Sequence, residues 1–488
     1  MAALLIAPLA ICLLLVMATA VARKSWLNRF AGIIAAAAVL ASGVVIAALV
    51  LAGGPLTAID GLLRADALTA FMLTVVGAVG LTATWGSLAA RGTTEHKAFA
   101  YPTLIAAFLF AMSLAVLADN LGILWVALEA TTITTAFLVG YHRTRNSLEA
   151  AWKYVVLGSV GVAIALLGIV LLYAATVQAG HPTLSWTVLT NAGITLDPGL
   201  VKMAAGLTLL GFATKAGLAP MHSWLPDAHS QAPAAVSGLM SGVLLSVAFY
   251  GILRVQAITD AVIGPDLMRN LLIAGGLLSI AEAAALILRQ RDLKRMLAYS
   301  SIEHMGIIAL AAAIGGPLAI GAALLHMLGH GLAKSSIFVV SGRILTVDGS
   351  TQISQIRSLL TRRSGIAIPF LAAMAALLGM PPFALFFTEV AIVVAGFQRG
   401  LGWVMSVAIA LLLIAFIGLA RHTSDMMFGT DPDPEARQGH APQTGDRSAH
   451  GPRLPLIAAL AATAIIGFLT GPFSSLLSEA ANVLGGGR

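Results

Sequence analysis

The sequence LGFATKAGLAPMHSWLPDAHSQ, residues 210–231, decides how the rest of the chain is interpreted. Lys215 stands in an apolar segment, and Gly217 and Pro220 interrupt that segment directly afterwards. A charge at the centre of a membrane helix costs about 2.5–3.5 kcal/mol on the insertion scale. Backbone groups that a helix break sets free are tolerated only where they face protein or water. The stretch therefore predicts a functional break in a membrane helix, and a lysine that snorkels to the interface is the alternative.

The composition of the 488-residue chain is typical of a membrane protein. Hydrophobic residues make up 59% of it and charged residues only 10%. The apolar residues form runs of about 20, separated by short polar links, and they do not alternate with polar residues as barrel strands would. The single cysteine, Cys12, excludes a disulfide framework and any Cys-ligated iron–sulfur or zinc site.

Fourteen transmembrane spans are predicted, which makes the fold class an all-α polytopic membrane protein. A signal peptide is the alternative for span 1, but no basic region precedes its apolar residues, so a membrane helix is expected. The spans are residues 2–21, 30–51, 67–90, 99–118, 121–140, 151–177, 200–219, 233–256, 267–289, 294–314, 317–345, 366–397, 403–428 and 455–480.

The distribution of basic residues tests this topology. With the N-terminus outside, 20 of the 28 Lys and Arg residues fall in the links after spans 1, 3, 5, 9, 11 and 13. Six fall on the other side, and Lys215 and Lys334 lie within spans. This asymmetry follows the positive-inside rule, so both termini are predicted on the outer side of a cell inner membrane. The net charge of +7 is therefore explained by the orientation of the chain in the lipid bilayer. Nucleic-acid binding is not needed to explain it.

Several ionisable residues remain inside the predicted spans. Such groups face a bundle interior or a water-filled cavity and commonly mark ion pathways. On span 11 three of them fall at i, i+4 and i+8, so they share one face over about 12 Å. A histidine beside a desolvated lysine can relay a proton, whereas a lone buried histidine is more often a packed core residue. The residues are Glu129, Lys215, Glu282, Glu303, His304, His326, His330, Lys334 and Glu389.

Span 12 repeats the arrangement of span 7. In GMPPFALFFTEV, residues 379–390, two prolines without N–H groups interrupt the span before Glu389. Spans 7 and 12 lie five apart, as do spans 5 and 10, so the spans of each pair run in opposite directions. We therefore interpret residues 99–256 and 267–428 as two inverted five-span repeats with sites at their broken spans. The other predicted units are spans 1–3, a flexible inside loop and span 14, at residues 1–98, 429–454 and 455–488.

Four segments resemble a known family, the antiporter-like subunits shared by respiratory complex I, Mrp-type sodium/proton antiporters and membrane-bound hydrogenases. The resemblance implies that Glu129 and Lys215 form the input pair of a proton half-channel. It also implies that Glu389 is the exit-side group and that polar residues of spans 10 and 11 link the two. The segments are ATKAGLAPMHSWLPDAHSQAPAAVSG (213–238), RDLKRMLAYSSIEHMG (291–306), HMLGHGLAKSSIF (326–338) and GMPPFALFFTEV (379–390).

Two residues in these segments resemble those of the hydrogenase-4 and formate hydrogenlyase type of membrane subunit more than those of the quinone-reductase type. A glutamate precedes His304, and Lys334 stands on span 11. Many quinone-reductase members have a lysine where this chain has Ser246. One expected station of the proton relay is therefore missing, and His326, His330 and Lys334 of span 11 become stronger candidates for the relay. The resemblance implies other membrane subunits and a peripheral redox arm as partners. Iron–sulfur clusters and a nickel–iron centre are expected in those partners, and no cofactor is expected in this chain.

Some residues keep two interpretations. Behind the break, His222, Asp227 and His229 line the inside entrance for protons, or they cap the broken helix and pack the loop. Glu282 pairs with Arg289 or contacts another subunit. The remaining assignments concern Glu149 and Lys153, expected to form an i, i+4 ion pair, and His440 and His450, expected to be solvated rather than metal-binding.

Two other functions remain open. An Mrp-like antiporter would exchange Na⁺ for H⁺, but a Na⁺ site favours clustered carboxylate and carbonyl oxygens, and the intramembrane acids here are dispersed along the chain. A membrane subunit of a bicarbonate-uptake complex could reuse the same fold. The dispersed acids favour protons over Na⁺, and the resemblance implies that the proton translocation takes place within a larger oxidoreductase complex.

Overall fold

The computed structural model describes residues 2–21, 25–88, 100–190, 195–430, 451–468 and 471–485. Most of them are helical, because a helix satisfies its backbone groups within one segment, as a bilayer requires. The helices are α1 (Ala2–Val21), α2 (Ser25–Gly53), α3 (Ala67–Gly86), α4 (Ala100–Leu117), α5 (Leu121–Val139), α6 (Arg145–Gln178), α7 (Trp186–Leu189), α8 (Pro198–Ala216), α9 (Trp224–Gln231), α10 (Ala234–Leu239), α11 (Leu245–Ile263), α12 (Asp266–Ile287), α13 (Leu293–Ile314), α14 (Gly316–Asp348), α15 (Leu359–Arg362), α16 (Ser364–Leu377), α17 (Ala384–Gln398), α18 (Gly402–Phe428), α19 (Leu454–Phe468) and α20 (Gly471–Val483).

The helices confirm the polytopic membrane class. Among the described residues, ten helical segments are long and apolar enough to cross a membrane, and eleven if α19 and α20 form one bent span. Helices α4, α16 and α17 are apolar but shorter. The all-α class and the order of the helices agree with the sequence-based expectation, and the count of fourteen spans stays a prediction.

One element that the sequence did not predict is a short β hairpin between α2 and α3. Strands β1 (Leu56–Ala58) and β2 (Leu63–Ala65) pair antiparallel. The turn between them holds three residues with positive φ, including Gly61. Each strand buries its first and last residue, so this three-residue pattern is too short to stand out among apolar runs.

A buried ion pair lies at the hairpin end of the molecule. Arg254 of α11 donates to Asp66 at 2.8 Å, and both side chains are at most 2% exposed. The guanidinium carbon also lies 3.6 Å from the centre of the Trp186 ring. Burial alone would raise the pKa of the Asp66 carboxyl, but the charge of Arg254 and the N–H of Thr69 hold that pKa below its usual value.

We expect Arg254→Met to lower the free energy of unfolding by about 3–5 kcal/mol, because it leaves a buried carboxylate without its partner. Arg269→Met is the matched control, since Arg269 and Asp266 form an exposed pair that should contribute less than about 1 kcal/mol. Denaturation of the purified variants in detergent measures both effects. Equal losses from the two substitutions would contradict the assignment of Arg254 as a structural anchor.

The first predicted helix break is present. Helix α8 ends at Ala216 because Gly217 adopts the left-handed conformation, with φ +74°. Side chains satisfy backbone groups that the break sets free. The indole Nε1 of Trp224 donates to the carbonyl oxygen of Thr214 at 2.8 Å, and the N–H of Ala219 donates to Ser279 Oγ at 2.9 Å. The break is therefore a built feature that α9 and α12 hold in place.

The second predicted break is present between α16 and α17. Helix α16 ends at Leu377, and Gly379 takes φ +61° before the two prolines. A Cβ at Gly379 would lie 2.6 Å from Glu389 Oε2, so a glycine is needed for the carboxylate to approach the break. Each break thus contains a left-handed glycine close to an ionisable side chain, Lys215 at the first and Glu389 at the second. This similarity agrees with the interpretation of two related repeats.

Five of the predicted intramembrane ionisable residues, Glu303, His304, His326, His330 and Lys334, lie on the most deeply buried helices. The most apolar stretches of the segment 234–263 and of helices α13 and α14 are completely buried. The backbones of α14 and the segment 240–244 approach so closely that a Cβ at Gly242 would lie 2.9 Å from the Cα of Gly331. Small residues permit such close helix packing in membranes.

The predicted inside loop falls mostly on residues 431–450, which lie outside the described residues together with His440 and His450.

Candidate functional site

Lys215 is completely buried at the end of α8. Its ammonium donates to Thr132 Oγ1 at 2.5 Å and to the hydroxyl of Tyr154 at 3.3 Å, and it lies 4.8 Å from the centre of the Tyr154 ring. A Cβ at Gly158 of α6 would come within 3.1 Å of the Lys215 nitrogen, so glycine at that position leaves room for the ammonium. The snorkelling alternative is therefore excluded, because the charge is held inside the helix bundle.

The partner predicted for Lys215, Glu129 of α5, is one hydrogen bond further away. Glu129 accepts from Thr132 Oγ1 at 3.0 Å and from Ser159 Oγ at 2.8 Å. Within the described part of the chain, Lys215 and Glu129 form no direct salt bridge, and the hydroxyl of Thr132 lies between them. That hydroxyl can accept from the lysine while it donates to the carboxylate. The expected ion pair is thus a pair bridged by Thr132.

The bridge gives a testable prediction. We expect Thr132→Val to slow proton translocation by about tenfold or more, since a hydrogen bond to a charged group contributes about 1.5–3 kcal/mol. The matched control is Thr134→Val on the same helix, because the Thr134 hydroxyl donates only to helix carbonyls. Proton uptake into sealed membrane vesicles during turnover compares the two. Equal rates for both variants would show that the bridge has no part in transfer.

The three residues behind the first break do not form one cluster. His222 lies 3.2 Å from Glu282 of α12, so Glu282 pairs with His222 and not with Arg289. Asp227 joins Lys153 at 3.1 Å and Arg295 at 2.5 Å. The expected pair of Lys153 with Glu149 is confirmed at 2.8 Å. The contact of His222 therefore ties the loop before α9 to α12, and the ion pairs of Asp227 tie α9 to α6 and α13.

His229 instead points into the bundle. It is fully buried and stacks on Phe338 of α14 with ring centres 5.1 Å apart. Neither ring nitrogen has a hydrogen-bond partner among the described residues. Its electrostatic neighbours include His330 and Lys334. His229 thus belongs with the residues of α14, although it was predicted only from its place behind the break.

The titratable residues of α13 and α14 form a continuous group. His304 Nδ1 lies 3.1 Å from His326 Nε2, and the ring of His304 lies 5.0 Å from that of His330. Lys334 donates to Ser300 Oγ at 2.5 Å and to the carbonyl oxygen of Leu297 at 2.7 Å. The four residues are at most 1% exposed. The structure therefore brings together the side chains of spans 10 and 11 that the sequence singled out.

Further atoms in this region have no protein partner. Within the described ranges these are Oε2 of Glu303 and both ring nitrogens of His330. Glu303 also lies close enough to Lys334 for their charges to interact. Buried polar atoms are almost always hydrogen-bonded, to protein or to ordered water. The pattern is typical of a hydrated proton path.

Glu389 stands at the other end of the group. It is half-buried, about one and a half turns into α17, and its carboxylate faces the second break at Gly379. Its neighbour Thr388 contacts His326 Nδ1 at 2.9 Å. We define the central row as His229, Glu303, His304, His326, His330, Lys334 and Glu389. The row extends from α9, beside the first break, to α17, beside the second.

Sequence reasoning missed the hydroxyl groups that connect these residues. Thr132 lies three positions after Glu129, Thr388 lies directly before Glu389, and Ser300 lies three positions before Glu303. Hydroxyls are common in apolar helices, where they donate to their own helix carbonyls, so they give no signal alone. The signal that could have found them is a hydroxyl within one helical turn of an intramembrane charge.

The sequence of the chain is similar to those of known proteins. Residues 118–415 match the protein family described as NADH:quinone oxidoreductase/Mrp antiporter, TM. A hydrogenase-4 component F homolog of Methylacidiphilum infernorum is 41% identical over 61% of this chain and 63% of that protein, slightly under two thirds of its length. NADH-quinone oxidoreductase subunit N of Deinococcus radiodurans is 32% identical over 79% of this chain and 77% of that protein.

The fold also matches a solved structure. A chain of the membrane-bound sulfane sulfur reductase, an archaeal respiratory membrane complex, superimposes with a TM-score of 0.86, covering 99% of this chain and 97% of that chain at 24% identity. At that identity the likeness concerns the fold alone. The matched family segment, residues 118–415, contains both helix breaks and the whole central row. This chain belongs to the NADH:quinone oxidoreductase/Mrp antiporter transmembrane family.

Proposed function

We propose that this chain is the proton-translocating, antiporter-like subunit of a multi-subunit membrane oxidoreductase of the hydrogenase or respiratory type. The central row is the observation that carries the proposal. Seven titratable side chains from four helices meet inside an apolar bundle. Their burial is unfavourable in free energy, and a core that served packing alone would consist of apolar side chains. Membership of the family and the relation to a hydrogenase-4 component support the same conclusion.

The mechanism starts at the first break. A proton arrives from the inside face and loads the site formed by Glu129, Thr132 and Lys215. An increase in the distance between Lys215 and Glu129 leaves the buried ammonium without its counter-ion. The loss of the counter-ion favours release of the lysine's proton. Because the helix is interrupted between α8 and α9, a small displacement of the end of α8 can change that distance.

The proton then passes through the interior. Glu303, His330 and Lys334 offer successive acceptors, with the imidazoles of His304 and His326 in contact beside them. Imidazole can accept a proton at one ring nitrogen and release it from the other. The proton leaves to the outside from Glu389, where the second break opens the helix. The hydroxyl of Ser246 donates to the carbonyl oxygen of Gly242, one turn earlier, so this position of α11 adds no ionisable station.

The driving reaction lies in partner subunits. Cys12 is buried and is the single cysteine of the chain, so Cys-ligated clusters must be held elsewhere. Iron–sulfur clusters, and a nickel–iron centre if the complex is a hydrogenase, belong to a peripheral redox arm in this proposal. Other membrane subunits, antiporter-like or small, would complete the complex in the inner membrane, with both termini of this chain outside.

Purification of the complex from its native membrane tests this assignment. Co-purification with iron–sulfur and nickel–iron hydrogenase-like proteins is the expected result. Small Mrp-type membrane proteins would instead identify the chain as a secondary antiporter subunit, and a large soluble zinc protein would indicate a bicarbonate-uptake complex. Either of the last two results would overturn the redox-driven function.

The Mrp-like alternative is distinguished by the transported ion. The family description covers Mrp antiporters, and the acids of the central row, Glu303 and Glu389, lie within electrostatic range of one another. Histidines and a lysine nevertheless dominate the row, and these groups carry protons rather than bind Na⁺. We expect translocation to continue at an unchanged rate when Na⁺ is replaced by K⁺ in sealed vesicles. A rate that depends on Na⁺ would favour the antiporter.

A further inference from the structure

Two imidazoles and a carboxylate converge where the central row meets the second break. His304 comes from α13, His326 from α14 and Glu389 from α17, and one ligand atom of each lies within 4.8 Å of the other two. His304 Nδ1 and His326 Nε2 are already 3.1 Å apart. Three side chains from three helices thus present nitrogen and oxygen atoms to one point.

This spacing suits a tetrahedral transition-metal ion. Bonds of about 2.0–2.1 Å from zinc to nitrogen or oxygen place neighbouring ligand atoms about 3.3–3.4 Å apart. The two imidazoles are within a few tenths of an ångström of that separation. The carboxylate would have to move by at most about 1.5 Å, which a rotation of the Glu389 side chain can supply. Two histidines and one glutamate leave a fourth position for water.

The surroundings of the three ligands also favour a metal. Thr388 Oγ1 contacts His326 Nδ1 at 2.9 Å and so orients the ring with its Nε2 towards His304. The charge of a divalent ion can be offset by Glu389 and by Glu303, which lies close enough to Glu389 for their charges to interact. Imidazole nitrogens favour Zn²⁺, Co²⁺, Ni²⁺ or Cu²⁺ over Mg²⁺ and Ca²⁺, which prefer oxygen ligands.

We propose that His304, His326 and Glu389 form a binding site for a divalent transition-metal ion of the Zn²⁺ class, and that the bound ion blocks proton transfer through the central row. Binding occupies the facing nitrogens of both imidazoles, so neither can accept a proton there. The blocking effect rests on the proposed function, whereas the binding does not. Zinc is thus an inhibitor that acts from within the proton path.

Cobalt is the probe, because Co²⁺ reports its geometry through visible absorption. The full-length chain, purified in detergent and treated with a chelator, is titrated with Co²⁺. We expect one equivalent to bind with the intense absorption of a tetrahedral ion, and Zn²⁺ to displace it. A weak octahedral spectrum, or the absence of one-to-one binding, would overturn the site.

Variants assign the ligands. His326→Gln should weaken binding by more than about 100-fold, and Thr388→Val, which keeps the side-chain shape, by about 10–100-fold. His181→Gln is the matched control, because His181 is exposed and distant in the chain from the three ligands. Equal affinity in the His326→Gln and His181→Gln proteins would overturn the assignment even if metal binds.

The second half of the proposal is tested with the intact complex in sealed vesicles. Zn²⁺ at the concentration that fills the site should stop proton translocation, and a chelator should restore it. Thr388→Val should raise the inhibitory concentration by the same factor as it raises the dissociation constant. Stoichiometric binding with no inhibition would overturn the claim that the site lies on the proton path.

Discussion

Lys215→Ala is expected to abolish proton translocation while the variant still assembles into the membrane. The ammonium of Lys215 donates to both Thr132 and Tyr154, and its loss leaves Glu129 without a proton donor across the bridge. Assembly should survive, because Gly217, Trp224 and Ser279 hold the break through backbone contacts that do not involve the lysine. The small cavity left by alanine lowers stability by a few kcal/mol at most.

The matched control is Lys202→Ala, on the same helix four turns earlier. Lys202 is exposed, so its removal changes the net charge by the same amount without touching the site. The amount of each variant in the membrane and its proton uptake into sealed vesicles are measured together. If the Lys215→Ala protein is assembled and still moves protons at the rate of the Lys202→Ala protein, the first break is not the input site.

Much of the fold follows from the sequence for physical reasons that a bilayer makes strong. A membrane helix needs about 20 apolar residues, so runs such as residues 2–21 mark helices almost directly. Gly217, Gly379 and the prolines beside them lie within apolar runs, and both positions are helix breaks in the structure. An intramembrane charge is costly enough that its presence indicates an interior position. All five residues predicted on α13 and α14 are buried.

The sequence could not provide the contacts between helices far apart in the chain. Glu282 pairs with His222 because α12 packs beside the first break, 60 residues away in sequence. No pattern within α12 indicates that partner, whereas the pair with Arg289 was suggested by spacing on one helix. The Thr132 bridge was missed for the same reason, since 83 residues separate Thr132 from Lys215. Periodicity describes one helix at a time, and packing decides which faces meet.

The central claim is that the central row conducts protons, and Lys334 is the residue that tests it best. Lys334 lies in the middle of α14, a helix that contains neither break, and donates to Ser300 and Leu297. Lys334→Met keeps the volume of the side chain and removes its charge. Any loss of translocation therefore reflects the interior path and not the input or exit site. Arg343→Met is the matched control, because Arg343 is also buried on α14 but donates to the carbonyl oxygens of Gly86 and Pro452.

The direct measurement is the number of protons translocated per electron transferred by the complex in sealed vesicles. This ratio does not depend on how much of each variant is assembled. The central row predicts that the Lys334→Met complex loses the protons that pass through this subunit, so that its ratio falls, and that the ratio stays unchanged in the Arg343→Met complex. An unchanged ratio in the Lys334→Met complex would contradict the account.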